Sequence, residues 1–192
     1  MKSLVLLLLL AACSKYDTEY LTIVTGATKL SDGGDVYKVS KGIYHERWDS
    51  NRIENDIAVL KTDRDIQLGG KVETIPLMTQ EVPNGKKLML SGWGYTSYPG
   101  TSSNELKFIE LTSFPMDKCR EAMQPDPLFN TQFCTFNKQG EGACRGDSGG
   151  PLVYLGQLAG VVSWGQPCAI GKPDVFTKVS AYIPWIQQNI AQ

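Results

Sequence analysis

The chain has 192 residues, 42% of them apolar and 20% charged, enough to bury a core as one compact unit or two small ones. Its 19 basic and 20 acidic side chains leave a net charge of -1. No block of lysines and arginines could neutralise a run of phosphates, which excludes nucleic acid as a partner.

The first residues read as a secretory leader. Lys2 supplies positive charge, Leu4 to Leu10 an apolar core, and Ala11, Ala12 and Cys13 are small enough for a signal peptidase. Residues 1–13 are therefore expected to be a signal peptide, too short to span a bilayer, on a secreted protein without a membrane anchor. Leu10-Ala11-Ala12-Cys13 also resembles a bacterial lipoprotein acylation box. Five cysteines in an exported chain predict disulfides with one thiol left over.

Short segments rich in β-branched and aromatic residues follow: Tyr20 to Thr25, Val36 to Tyr44 and Asp56 to Leu60, with a turn at Ser31-Asp32-Gly33-Gly34. The pattern resumes after Pro83-Asn84-Gly85 at Lys86 to Ser91, Lys107 to Thr112, Pro151 to Tyr154 and Gln157 to Ser163. Helical spacing occurs at the end, where Ser180 is expected to cap a helix with Pro184 in its first turn and Tyr182, Trp185, Ile186 and Ile190 on one stripe. Many short strands without helical crossovers predict an all-β sandwich or barrel, and Met78 to Gly85 is the expected link between two halves.

Gly142-Ala143-Cys144-Arg145-Gly146-Asp147-Ser148-Gly149-Gly150-Pro151 carries the chemistry. A hydroxyl attacks a carbonyl when it projects from a tight turn beside amide hydrogens that stabilise the oxyanion. Glycines on both sides of Ser148 permit that turn, and the Gly146 and Ser148 N–H groups would share one pocket. A single His and the lack of a Cys-x-x-Cys pair or phosphate loop argue against a metal or other cofactor.

This stretch resembles the nucleophile motif of chymotrypsin-like serine proteases. Asn55-Asp56-Ile57-Ala58-Val59-Leu60 resembles the family's segment bearing the orienting aspartate, Leu90-Ser91-Gly92-Trp93-Gly94 a strand of its second barrel, and Ser163-Trp164-Gly165 its substrate-pairing edge. The look is that of insect chymotrypsins. The resemblance implies an all-β fold, a double six-stranded β-barrel with a C-terminal α-helix, within a peptidase domain over 14–192. Residues 14–80 would form an incomplete first barrel, 81–179 the second barrel and 180–192 the helix.

It also implies roles. Ser148 would be the nucleophile, Asp56 its orienting carboxylate, and the Gly146 and Ser148 amides the oxyanion hole. Gly142, Ser163, Trp164, Gly165 and Asp174 would line the substrate pocket. Gly142 falls where trypsin-like relatives carry an aspartate, which argues against ordinary trypsin specificity. Gly165 leaves room for Phe, Tyr or Leu, and Asp174 would bring a carboxylate to the pocket base from the opposite wall. Cys119–Cys134 and Cys144–Cys168 would be disulfides, with Cys13 odd.

Two departures from the family matter. Its general base lies in Ala-Ala-His-Cys, whereas this chain reads Ala11-Ala12-Cys13, and its only histidine, His45, is expected on a surface loop. Ile23-Val24-Thr25-Gly26 mimics the family's activated amino terminus but lies within a predicted strand, so Asp147 would lack its ion-pair partner and turn outward. The implied function is that of a secreted serine endopeptidase family member, a monomer acting on proteins or peptides and meeting protease inhibitors, impaired for want of the His and the mature amino terminus. The alternatives are a non-catalytic homologue that binds peptides or inhibitors by strand addition, and a fragment with exposed strand edges.

Overall fold

β-Branched and aromatic residues alternating with polar ones build the first sheet. In a computed structural model, which describes residues 20–166 and 168–190, strands β1 (Thr22–Thr25), β2 (Asp35–Tyr44) and β3 (Ala58–Thr62) pair antiparallel in the order β1-β2-β3. Ile23, Tyr37, Val39 and Leu60 point inward and pack with Ile66, while the register partners Val24 and Val36 face outward. The leader expected over 1–13, and Cys13 with it, lie outside the described residues.

The second unit closes on itself. Strands β4 (Lys87–Gly92), β5 (Lys107–Phe114), β6 (Gln132–Thr135), β7 (Pro151–Tyr154), β8 (Gln157–Trp164) and β9 (Asp174–Lys178) form an antiparallel barrel in the order β4-β5-β6-β9-β8-β7. Leu88, Leu90, Leu111, Phe133, Leu152 and Phe176 fill it, each stabilising by roughly 1.5–3 kcal/mol relative to exposure. Gly160 of β8 lies directly under the Phe133 ring, where a built Cβ would come within 2.6 Å of Cε1.

The all-β expectation holds as one six-stranded barrel, a second sheet of three strands and a C-terminal helix. Strands β6 and β9 and the helix α1 (Met116–Ala122) are additions to the sequence reading. Residues 76–78 lie along β8, with the Leu158 N–H donating to Pro76 O and the Met78 N–H to Leu158 O.

At the end of the chain a 3-10 turn (Val179–Tyr182) runs into helix α2 (Ile183–Ile190). Ser180 does not cap it, because it lies inside the 3-10 turn, whose N-cap is Lys178 with no side-chain cap bond. Pro184 does fall in the first turn of α2, where its missing N–H costs nothing. Val179, Tyr182 and Ile186 bury against Leu158 and Val161 of β8 and against Ile57. That cluster joins the approach to β3 to the barrel, and through Ile57 it positions the adjacent Asp56.

Candidate functional site

Asp56 sits at that junction. The segment before β3 is stitched to the barrel by the Gln132 side-chain amide donating to Ile53 O (2.8 Å), the Tyr182 hydroxyl donating to Asn55 Oδ1 (3.1 Å) and the Thr177 hydroxyl donating to Asp56 O (2.7 Å). The Asp56 side chain is thereby held inside the protein, 4% exposed, where its Oδ2 accepts a bond from Ser163 Oγ at 2.6 Å. A buried carboxylate persists only with such donors. The structure thus brings together Asp56 and Ser163, from opposite units of the molecule.

Ser148 lies on the loop entering β7. Its turn is built by main-chain bonds from Asp147 N–H to Cys144 O and from Gly150 N–H to Asp147 O, and is pinned to β8 by exchange between Gly149, Gly150 and Val162. Gly146 has φ +92°, a conformation that side-chain-bearing residues rarely adopt. The outcome is an exposed Ser148 on a loop otherwise tied down. The disulfide Cys144–Cys168 ties this loop to the segment before β9, and Cys119–Cys134 ties α1 to β6. Both pairings match expectation, and loop closure makes each worth about 3 kcal/mol.

A cavity of about 160 Å³ opens beside Ser148, lined by Ser163, Trp164, Gly165 and Asp174 together with Arg145. Asp174, the first residue of β9, is 6% exposed, and its Oδ2 accepts from the Ala143 N–H at 2.8 Å. Burial pushes its carboxyl up to about 7, against the pull of the Ala143 N–H and with a further push from Asp147. A Cβ on Gly142 would run into Asp174 Oδ2, so a bare glycine there is what admits the carboxylate. Of the five residues expected to line the pocket, Ser163, Trp164, Gly165 and Asp174 line this cavity, while Gly142, whose Cα faces Asp174, lines a separate, larger one. Arg145 was not singled out from the sequence; its place beside Gly146 in the motif was the available signal.

Asp147 does not turn outward. Its carboxylate folds back over the Gly92-Trp93-Gly94 strand end, where Oδ1 accepts from the Gly94 N–H (2.9 Å) and Oδ2 from the Cys144 N–H (3.0 Å). These two donors offset part of its desolvation, which nonetheless raises its pKa. It lines a second cavity of about 400 Å³, floored by Leu90 and Ile109 and edged by Tyr98 and Phe108.

His45 is not on the surface either. It is 5% exposed, with its ring 5.5 Å from that of Tyr182 and 5.1 Å from that of Trp185. Its Nδ1 accepts the Arg47 N–H at 3.2 Å. Burial lowers its pKa, opposed by Glu46 and aided by Arg47. The loop is anchored to α2 by the Trp185 indole donating to Glu46 Oε2 (2.9 Å), which is why a residue expected in solvent lies under the helix.

The family model for trypsin matches residues 11–186. The chain belongs to the trypsin family of serine proteases. Members of the trypsin family act on protein or peptide substrates. This trypsin-family chain is 37% identical over 170 residues to chymotrypsin-2 of Vespa crabro, covering 88% of this chain and 77% of that protein. It is 35% identical over 178 residues to a trypsin of Phaedon cochleariae, covering 90% and 69%. Its fold resembles the solved structure of neuropsin, a serine protease expressed in the limbic system of mouse brain, with a TM-score of 0.77 and 31% identity over 81% of this chain and 72% of that one.

Proposed function

We propose that this chain carries the nucleophile and substrate-binding half of a secreted chymotrypsin-like serine endopeptidase. Ser148 is the nucleophile, Asp56 the carboxylate that orients a histidine, and the Gly146 and Ser148 amides the oxyanion donors. The observation that best supports this reading is the Ser163–Asp56 hydrogen bond at 2.6 Å, which ties the buried Asp56 carboxylate to a serine that lines the same cavity as Ser148.

Hydrolysis through an acyl-enzyme needs a base that takes the Ser148 proton as Oγ attacks the scissile carbonyl and returns it to the leaving amine. The sequence has one histidine, and its ring is engaged by Tyr182, Trp185 and the Arg47 N–H. The motif in which the family carries its base reads Ala11-Ala12-Cys13. The chain therefore binds peptides, and the protease inhibitors that mimic them, as a monomer, and is impaired in turnover. A non-catalytic role in peptide binding is the second reading, favoured by the same intact cavity.

Gly142 and Gly165 leave the pocket room for Phe, Tyr or Leu, and Asp174, once ionised, adds acceptance of Lys or Arg. Asp147 faces the larger cavity as the group an incoming amino terminus would pair with. The leader and the two disulfides support an oxidising, extracellular location. No helix among the described residues is long and apolar enough to cross a membrane.

Hydrolysis of a Phe-containing peptide amide by the purified chain tests the reading, with fluorophosphonate labelling as a second readout. The expected result is binding of the peptide, weakened by Gly165→Val, with turnover no greater than that of Ser148→Ala. Turnover abolished by both Ser148→Ala and His45→Gln would make His45 the base and overturn the impaired reading. Absence of any Gly165-dependent binding would overturn the pocket itself.

A further inference from the structure

His45, the only histidine of the chain, lies where the loop before Asp56 meets the C-terminal helix. Its ring packs against Tyr182 of the 3-10 turn and Trp185 of α2 and is buried there. Nδ1 accepts the Arg47 N–H, which requires that nitrogen to carry no proton. Protonation would set two donors against each other and place a cation in a site closed to water.

The main chain connects this ring to Asp56. The His45 N–H donates to Ile57 O (3.1 Å), and the Ile57 N–H donates to Asn55 O (2.9 Å), so the two residues beside Asp56 are both engaged. The Arg47 carbonyl accepts from the Asn55 side-chain amide (2.9 Å), and Asn55 Oδ1 takes the Tyr182 hydroxyl. Asn55 itself has φ +58°, a left-handed conformation that persists where its surroundings hold it. The charged groups about the ring are Glu46 and Arg47 of its own loop, which act on it in opposite senses. The 3-10 turn and α2 present the uncharged Tyr182 and Trp185, and the segment before β3 brings Glu54 and Asp56, whose charges are felt at Tyr182. Glu46 is engaged by the Trp185 indole. Burial outweighs its pull and lowers the imidazole pKa from its usual 6.5.

We propose that His45 is a positioning residue for Asp56 and an acid-sensitive latch. As the neutral imidazole it holds the loop 45–55 beneath α2 and Asp56 against Ser163; on protonation it releases the loop from the helix, and Asp56 with it. The latch goes beyond the reading of Ser148 as nucleophile and operates whether or not the chain turns over a peptide. It is closed above about pH 6.5, the ordinary value for an imidazole, and opens as pH falls below that, because the open loop binds a proton that the closed loop excludes.

Nuclear magnetic resonance tests this on the full chain, where one histidine gives one imidazole signal. As pH is lowered from about 7.5 to 5, the imidazole and the Trp185 indole N–H signals are expected to shift with one midpoint below about 6.5. Protection of the His45, Arg47 and Ile57 amides against hydrogen exchange, corrected for the intrinsic rate at each pH, should fall by up to about tenfold per pH unit below 6.5. The Leu111 amide, in the barrel opposite Leu88, should keep its protection. In His45→Gln, whose side-chain oxygen can accept the Arg47 N–H but which cannot ionise, the indole shift and the loss of protection should both vanish. An imidazole midpoint at or above 6.5, or an indole signal that moves as far in His45→Gln as in the parent, would overturn the proposal. So would an Ile57 amide that stays protected while Arg47 loses protection, since the loop would then open without reaching Asp56. If His45→Gln does not fold, the parent decides alone: a shared midpoint for the imidazole, the indole and the three amides supports the latch, and separate midpoints overturn it.

Discussion

Asp56 accepts from Ser163 Oγ in a site where neither side chain reaches solvent. Removing that hydroxyl leaves the carboxylate as buried as before with one donor fewer, and the lost donor is charge-assisted. Ser163→Ala is therefore expected to destabilise the protein by about 1–3 kcal/mol, which lowers Tm by roughly 2–4 °C per kcal/mol in a chain of this size. Thermal unfolding of the two proteins checks it, and an unchanged Tm would mean that Asp56 draws its stabilisation from its other partners alone. At this scale the sequence was informative where chemistry is local. The Ser148 turn follows from the glycines beside it, and Gly142 with Asp174 could be paired through the resemblance. His45 was misread because its burial depends on Tyr182 and Trp185 at the far end of the chain, and Asp147 because its acceptors' partners are main-chain N–H groups, which no side-chain pattern reveals.

Among the elements, strands with alternating or strongly β-branched character were legible, and those defined by their neighbours were not. Strand β6 is only four residues, buried throughout, and shows no period. Strand β9 begins just after Pro173 and is buried over its first four positions. Yet their pairing with each other, and with β5 and β8, is what closes the barrel. Where they meet β8, Phe133 of β6 and Phe176 of β9 stack with centroids 5.7 Å apart over Gly160. A methyl group at 160 would press into the Phe133 ring from 2.6 Å and into Phe176 Cβ from 3.2 Å, a contact that neither strand can relieve without moving the barrel wall. Gly160→Ala should therefore cost about 1–3 kcal/mol through overpacking. If the Phe133 ring is the obstacle, the same change made in a Phe133→Leu background should cost much less, and a double-mutant cycle on denaturant midpoints measures that coupling. Additive costs would instead assign the loss to β8 itself.

For the molecule as a whole, the buried Asp174 and His45 and the half-buried Asp147 make stability vary with pH between about 4.5 and 8. The carboxyl of Asp174 is raised to about 7 and that of Asp147 is raised as well. A raised acid holds its proton in the folded state over a range where the unfolded chain has released it. For Asp174 the stabilising contribution is thus full below the unfolded value near 4 and is lost as pH rises through about 7. His45 works in the other direction: its lowered pKa gives stability above about 6.5 that is lost on acidification. Glu46, Glu81 and Glu141 are lowered, so their contributions change only below the window. The variant Asp174→Asn isolates the largest of these effects, because an amide oxygen can still accept the Ala143 N–H but cannot ionise, while His45 and Asp147 remain in both proteins. The parent should lose stability relative to Asp174→Asn by about 1.4 kcal/mol per pH unit between 4.5 and 7, and the difference should level off above 7. Parallel Tm curves across that range would mean that the Asp174 carboxylate finds water through the open cavity beside Gly165 when it ionises, and the pocket base would then be charged at every pH at which a peptide could enter.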